Sequence, residues 1–341
     1  ADKNYFVNGE SVHPSKVTDD LPDPAGAAFD PAPIQDALRL AGGNCVRLFV
    51  AGAVTHCGKT TVCLSILSAL RKAGIKASEL AYIKPATQCE APDLLSKWCV
   101  EEGIEYVCGE NSPLVFYSGF TRSFLLGEQG TSEQWLEKIR TRIDQMAAGR
   151  KAIIVDGVGF PAVGSIVGVD NADVAKAARA PVLCVCKSGV GGAIDSFSLN
   201  CSYFVSKGVP VLGAVFNFGA VDGFYSWDKC AESINLWFQR GARRERSFGV
   251  VPVAPELSGL RERIPETSEA QIHELAKLNA LHFATYVDLP SLLTSAAVDP
   301  WNRQALPKAA KEAEAQAENF APASRDKVMK SALDSGAKGG G

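Results

Sequence analysis

No run of apolar residues approaches the ~20 needed to carry a helix across a bilayer, so the sequence predicts no membrane-spanning helix. No two of the ten cysteines, at positions 45, 57, 63, 89, 99, 108, 184, 186, 201 and 230, stand in the C-x-x-C spacing of a zinc or redox site. Cys184 and Cys186 alternate within an apolar run, which places both on one face of a strand as core thiols. Scattered thiols of this kind fit a reducing compartment, either the cytoplasm or an organelle matrix or stroma reached after removal of a targeting peptide. Charge of either sign is not in excess: 35 Lys and Arg against 38 Asp and Glu leave a net charge of -3 and a pI near 5.9. Global attraction to nucleic acid or anionic lipid is therefore absent, and nucleic acid is not an expected partner. The chain begins with Ala1 and carries no charged-then-apolar leader, as expected of a trimmed chain or of a mature protein whose targeting peptide is gone. No internal repeat is visible.

What is present is ordinary globular composition, 46% hydrophobic and 21% charged, in a chain of 341 residues. Residues 1–43 carry Pro14, Pro22, Pro24, Pro31 and Pro33 and read as a proline-rich N-terminal arm with one short helix at 34–40. Residues 44–256 alternate between short apolar runs at 46–50, 76–84, 152–156, 182–186, 211–216 and 248–252 and helical periodicity at 60–73, 93–102, 132–148, 172–178, 192–207 and 227–240. Alternation of this kind predicts an α/β fold with a doubly wound, mostly parallel sheet flanked by helices. A helical extension at 257–306 follows, with periodicity at 272–286, and then a polar low-complexity tail at 307–341 too poor in branched and aromatic residues to bury much surface.

The segment Gly52-Ala53-Val54-Thr55-His56-Cys57-Gly58-Lys59-Thr60-Thr61 follows the first strand and opens the first long helix. Glycine-rich backbone running into a helix N-terminus presents several N–H groups to one anion, Lys59 adds a mobile positive charge, and the Thr60 hydroxyl is placed to hold magnesium. This is a P-loop: Gly52, Thr55, Gly58, Lys59, Thr60 and Thr61 are the candidate contacts to a nucleotide triphosphate, taken as ATP with Mg2+. Its Gly52 and Gly58 enclose five residues where the usual pattern has four. His56 and Cys57 inside the loop read as backbone shaping and as an apolar slot filler rather than as a base and a reactive thiol. Tyr117 to Arg122 line either a substrate pocket or an ordinary loop, and the basic run 243–246 reads as solvated surface.

The five-residue spacing is also that of the dethiobiotin synthetases, and residues 45 to 255 resemble that family at further points. Tyr82-Ile83-Lys84-Pro85 is similar to its Lys-Pro segment, and Ile154-Val155-Asp156-Gly157-Val158-Gly159 to its Val-Glu-Gly-Ala-Gly segment. The glycine-rich turn 185–195 resembles the turn that receives substrate, and Val215-Phe216-Asn217 the strand end near the base. The resemblance implies that Lys59 and Lys84 stabilise the transferred phosphoryl group, that Thr60, Asp156 and Asp93 hold magnesium, and that Asn217 lies at the nucleotide base. It also implies a small-molecule substrate, a carboxylate or carbamate activated for attack by an amine, and a homodimer. Glutamine-dependent amidation is not expected, because residues 257–341 are too short and polar to supply a glutaminase domain.

Substrate-side positions depart from the family pattern. Val54 replaces an acidic residue, Thr87 or Gln88 stands where a serine contacts the carbamate, Asp156 replaces glutamate, and Asp195 stands where asparagine is usual. Two functional readings follow: an ATP-dependent carbon–nitrogen ligase with an altered substrate, and a non-catalytic nucleotide-binding or accessory subunit held in a larger assembly through its terminal arms.

Overall fold

The computed structural model describes residues 29–88, 93–240, 243–254 and 268–303, together with the backbone of two short antiparallel strands, β1 (Tyr5–Val7) and β2 (Glu10–Val12). The polar tail expected at 307–341 and the remainder of the arm lie outside the described residues.

Every residue of β3 (Val46–Gly52) is buried, so this strand must be covered on both faces. Its alternation divides the molecule. Val46, Leu48 and Val50 point into one core, and Phe49 and Ala51 into another. The chain passes from α1 (Ala32–Arg39) through β3 to α2 (Lys59–Lys72), β4 (Leu80–Ile83), β5 (Ala86–Thr87), α3 (Leu94–Glu102), β6 (Glu105–Val107), β7 (Leu114–Val115), α4 (Phe120–Leu125) and α5 (Ser132–Ala147). It continues through β8 (Ala152–Asp156), α6 (Asn171–Ala178), β9 (Val182–Lys187), α7 (Gly191–Ser206), β10 (Val211–Gly219), α8 (Trp227–Gln239), β11 (Arg246–Pro252), α9 (Glu269–Tyr286), α10 (Leu289–Val298) and α11 (Pro300–Arg303).

Seven of these strands form one sheet in the order β11-β10-β9-β3-β8-β4-β6, with every neighbouring pair parallel. Helices α1, α2, α3, α9 and α10 bury their apolar residues on one face, and α5, α6, α7 and α8 on the other. The doubly wound parallel sheet read from the alternation is therefore present, and β3 lies at its centre with β8 on one side and β9 on the other. Ligands of such sheets bind at the carboxyl ends of the strands where the winding reverses. Here that place is the end of β3.

Several elements differ from the sequence reading. The strand expected at 76–84 begins only at Leu80, because Lys76 and Glu79 close a turn in which the Glu79 carboxylate accepts the Lys76 backbone N–H at 2.9 Å. Edge strand β6 was not anticipated; it has three residues and only Val107 is fully buried, so it carries almost no pattern. The helix expected at 34–40 spans Ala32–Arg39 and buries Ile34, Ala37 and Leu38 in the first core, so this stretch of the arm packs onto the domain.

The C-terminal helices are tied to the sheet by side-chain amides. Asn279 on α9 donates to the Thr61 carbonyl at 3.1 Å and to Ser65 Oγ at 2.7 Å, bracing α2 from behind. Asn302 on α11 accepts the Arg47 backbone N–H at 3.0 Å and donates to the Arg47 carbonyl at 2.9 Å, acting as a neighbour to β3 where β9 has not yet reached it. The Arg47 side chain runs to the other face and meets buried Asp144 at 2.6 Å and the Ala178 carbonyl at 2.9 Å.

Candidate functional site

β3 ends at Gly52, and the Ala53 N–H still donates to the Val185 carbonyl at 2.9 Å, which fixes the start of the loop against β9. Val54, Thr55 and His56 are exposed, with His56 at a φ of 55°, while Cys57 is fully buried. Gly58 caps α2 with a φ of 87°. A Cβ at Gly58 would lie 2.2 Å from Asn217 Nδ2 and 3.2 Å from Phe218 Cζ, so both the backbone angle and the close approach demand glycine. Asn217, at the end of β10, donates through Nδ2 to the Cys57 carbonyl at 3.1 Å and accepts the Phe218 N–H on Oδ1 at 3.0 Å.

Five helices, α3, α5, α6, α9 and α10, have N-terminal N–H groups bonded by an Asp, Thr or Ser side chain. In α2, as in α1, α4, α7 and α8, no side chain among the described residues caps the first turn. The first-turn N–H groups of α2, with the positive end of the helix dipole behind them, face out at the carboxyl end of the sheet, which is an anion-binding arrangement. Lys59 and Thr60 are the first two residues of that helix, both half-buried, and Thr61 is exposed.

Across the loop, at the end of β8, Asp156 is entirely buried. Its Oδ2 accepts from Thr60 Oγ1 and from Tyr82 Oη, each at 2.9 Å. Its Oδ1 is buried with no hydrogen-bond partner among the described residues. An unsatisfied carboxylate oxygen is costly, and a divalent cation at that oxygen would offset the cost. Thr60, having donated its proton to Asp156, keeps oxygen lone pairs for the same ion. The donor set thus fits magnesium. No three His, Cys, Asp or Glu side chains among the described residues group as a metal site.

Asp93 accepts the Ser96 N–H at 2.8 Å as the N-cap of α3. Burial pushes its pKa above the ordinary carboxylate range; the Ser96 hydrogen bond and the charge of Lys84 oppose that shift, and the charge of Asp156 adds to it. Asp93, Lys84 and Asp156 therefore share one electrostatic neighbourhood. Lys84 itself is buried just past the end of β4. Tyr82, two residues earlier in the same strand, was not singled out in the sequence, although alternation in a strand puts residues 82 and 84 on one face. Its phenol is pushed well above its ordinary pKa, first by burial and then by Asp156, so it stays a hydrogen-bond donor.

On the substrate side, Thr87 is fully buried and its hydroxyl has no partner among the described residues. Asp195 is exposed on α7. Tyr117 is half-exposed, stacks edge-on against Phe120 at 5.4 Å and accepts from Gln129 Nε2 at 2.9 Å, and the segment 120–125 is the short helix α4. In the basic run, Arg243 lies 3.8 Å over the Trp237 ring. The described cysteines are all free, and burial pushes the thiols of Cys63, Cys99 and Cys184 well above their ordinary pKa, as core thiols require.

Comparison with known proteins places these groups in context. Residues 46–261 match the AAA domain family. The ATP-dependent dethiobiotin synthetase BioD of Anaeromyxobacter dehalogenans (strain 2CP-C) is 28% identical over 177 residues, 50% of this chain and 75% of that protein. The BioD of Anaeromyxobacter sp. (strain K) is 30% identical over 178 residues, with the same coverage. Among solved structures, a nucleotide-binding protein in complex with ADP from Archaeoglobus fulgidus covers 75% of this chain and 93% of its own at 13% identity, with a TM-score of 0.37.

Proposed function

Because the chain belongs to the dethiobiotin synthetase-like family of P-loop proteins, we propose that it is an ATP- and magnesium-dependent ligase that activates a carboxylate or carbamate by phosphoryl transfer for attack by an amine. The observation that carries this reading is the meeting of Thr60 and Asp156: a P-loop hydroxyl and a carboxylate from the next strand share a hydrogen bond at 2.9 Å, with the second carboxylate oxygen left unsatisfied.

In this reading the N–H groups at the start of α2 hold the phosphates, and Lys59 follows the charge that develops on the transferred group. Magnesium, when bound, would neutralise phosphate oxygens. Thr60 and Asp156 would hold it, with the Asp93 carboxylate as a further ligand. Lys84 brings a second positive charge from the β4 side, and the partnerless Thr87 hydroxyl, three residues on, would donate to the carboxylate or carbamate being activated. Lys84 keeps its place from the family pattern, whereas Thr87, Asp195 and Val54 differ from it. A substrate other than the diamine precursor of dethiobiotin follows from those differences. Buried neutral thiols support a reducing compartment.

Isothermal calorimetry with magnesium and ATP tests the reading. The wild type is expected to bind and Lys59→Ala to bind at least ~100-fold more weakly, since the variant removes a charge-assisted contact to phosphate. A wild type that binds no nucleotide would instead identify a scaffold that kept the fold, the accessory-subunit reading.

A further inference from the structure

Phe218 follows Asn217 at the end of β10 and has three properties that core packing does not explain. Its ring is 46% exposed although it belongs to a strand whose neighbours Val215 and Phe216 are fully buried. Its backbone φ is 63°, in the left-handed region that a bulky side chain seldom adopts. Its ring edge reaches the P-loop, since a Cβ on Gly58 would come within 3.2 Å of Cζ. The unusual backbone is held by the hydrogen bond from the Phe218 N–H to Asn217 Oδ1, and Asn217 is itself tied to the Cys57 carbonyl. The ring is thus fixed to the same loop that would cradle phosphate.

The sheet order says which end of a nucleotide would meet this ring. β3 lies between β8 and β9, and β10 lies beyond β9. Asp156, Tyr82 and Lys84, the groups suited to the metal and the transferred phosphoryl, are all on the β8 and β4 side. A nucleotide whose reacting phosphate points toward β8 leads its ribose and base away, toward β9 and β10. The Phe218 ring is an exposed apolar surface on that side, and it touches the loop.

We propose that Phe218 is the platform on which the base of the bound nucleotide stacks. This rests on the nucleotide-binding reading above and adds a contact to it that no phosphate group can make. Stacking on an aromatic face is tolerant of base identity, so the ring supplies affinity rather than selection among bases. Asn217, with its amide spent on Cys57 and Phe218, then serves to hold the platform and the loop in one geometry.

Calorimetric affinities for ATP and for inorganic tripolyphosphate, each with magnesium, separate the possibilities. The wild type is expected to bind ATP more tightly than tripolyphosphate. Phe218→Ala and Phe218→Leu should weaken ATP about 10- to 100-fold and leave tripolyphosphate unchanged, and Phe218→Trp should keep ATP affinity. Equal weakening of both ligands would mean that the ring merely shapes the loop, and unchanged ATP affinity in Phe218→Ala would mean that no base stacks there; either overturns the platform. If the wild type binds tripolyphosphate but binds ATP no better, the phosphate site survives and the platform does not. If it binds neither, the nucleotide reading fails and takes the platform with it.

Discussion

Asp156 is the residue on which the proposed chemistry turns, and its surroundings make a sharp experiment possible. One carboxylate oxygen already receives two hydrogen bonds, from Thr60 and Tyr82, while the other receives none among the described residues. Asparagine at this position would keep an oxygen for those two donors and replace the partnerless oxygen with an amide nitrogen that cannot bind a cation. Asp156→Asn is therefore expected to melt within a few degrees of the wild type, yet to lose roughly two orders of magnitude in magnesium-dependent ATP turnover, the scale seen when one preorganised charge-stabilising group is removed. Turnover assayed against magnesium concentration checks this; a variant with wild-type magnesium dependence would remove Asp156 from the metal site. The sequence marked Lys59 and Thr60 because their glycine-rich turn follows a strand and opens a helix, and Asp156 through the resemblance of 154–159 to a family segment. It named Thr87 only as one of two residues at a substrate-side position, quoted Tyr82 only as part of a strand end, and was silent on Phe218, because burial, missing partners and backbone angle are properties of the folded chain.

At the scale of elements, strands buried on both faces were the most legible: β8 was read with its observed bounds, and the helical runs around β9 and β10 lay within a few residues of α7 and α8. Short edges were not. β6, β5 and β7 have two or three residues each, fewer than one period of alternation needs in order to show. Helix α6 shows how an element is pinned by a group that is unremarkable in the sequence. Asp170 accepts the N–H groups of Ala172 and Asp173 at 2.9 and 3.0 Å, accepts from Tyr203 Oη at 2.6 Å, and pairs with Lys207 beyond the end of α7. Burial alone would raise its pKa, but the hydrogen bonds from Lys207, Tyr203 and the Asp173 backbone outweigh it and hold the carboxylate below its ordinary range. Because the folded pKa is depressed, the stabilisation is complete above the unfolded value of about 3.9 and is lost as pH falls through the folded pKa. Asp170→Asn can still cap the helix but cannot pair with Lys207. Urea unfolding is expected to show it ~1–2 kcal/mol less stable than the wild type at pH 7, with the gap closing below about pH 4. A gap that persists unchanged to pH 3 would mean that the charge of Asp170 contributes nothing.

For the molecule as a whole, the family match and the folded unit do not end at the same place. The match stops at residue 261, yet α9 and α10 complete the first core rather than sit upon it, and α11 packs Trp301 against the second. Ile272, Phe283, Leu289, Leu292 and Leu293 are buried there, and Asn279 and Asn302 bond directly to α2 and β3. Burial of five large apolar side chains contributes roughly 1.5–3 kcal/mol each, or about 7–15 kcal/mol together, which equals the whole net stability of an ordinary domain. Without these helices, α2, the helix that opens the candidate nucleotide site, would expose the face it turns toward α9. A chain ending at residue 267 is therefore expected to lack a cooperative thermal transition and to lose magnesium-ATP binding with it, as read by circular dichroism and calorimetry on the truncated and full-length chains. A truncated chain that melted cooperatively within about 5 °C of the full-length protein would show that the matched segment folds on its own and that the C-terminal helices are an addition to a finished domain.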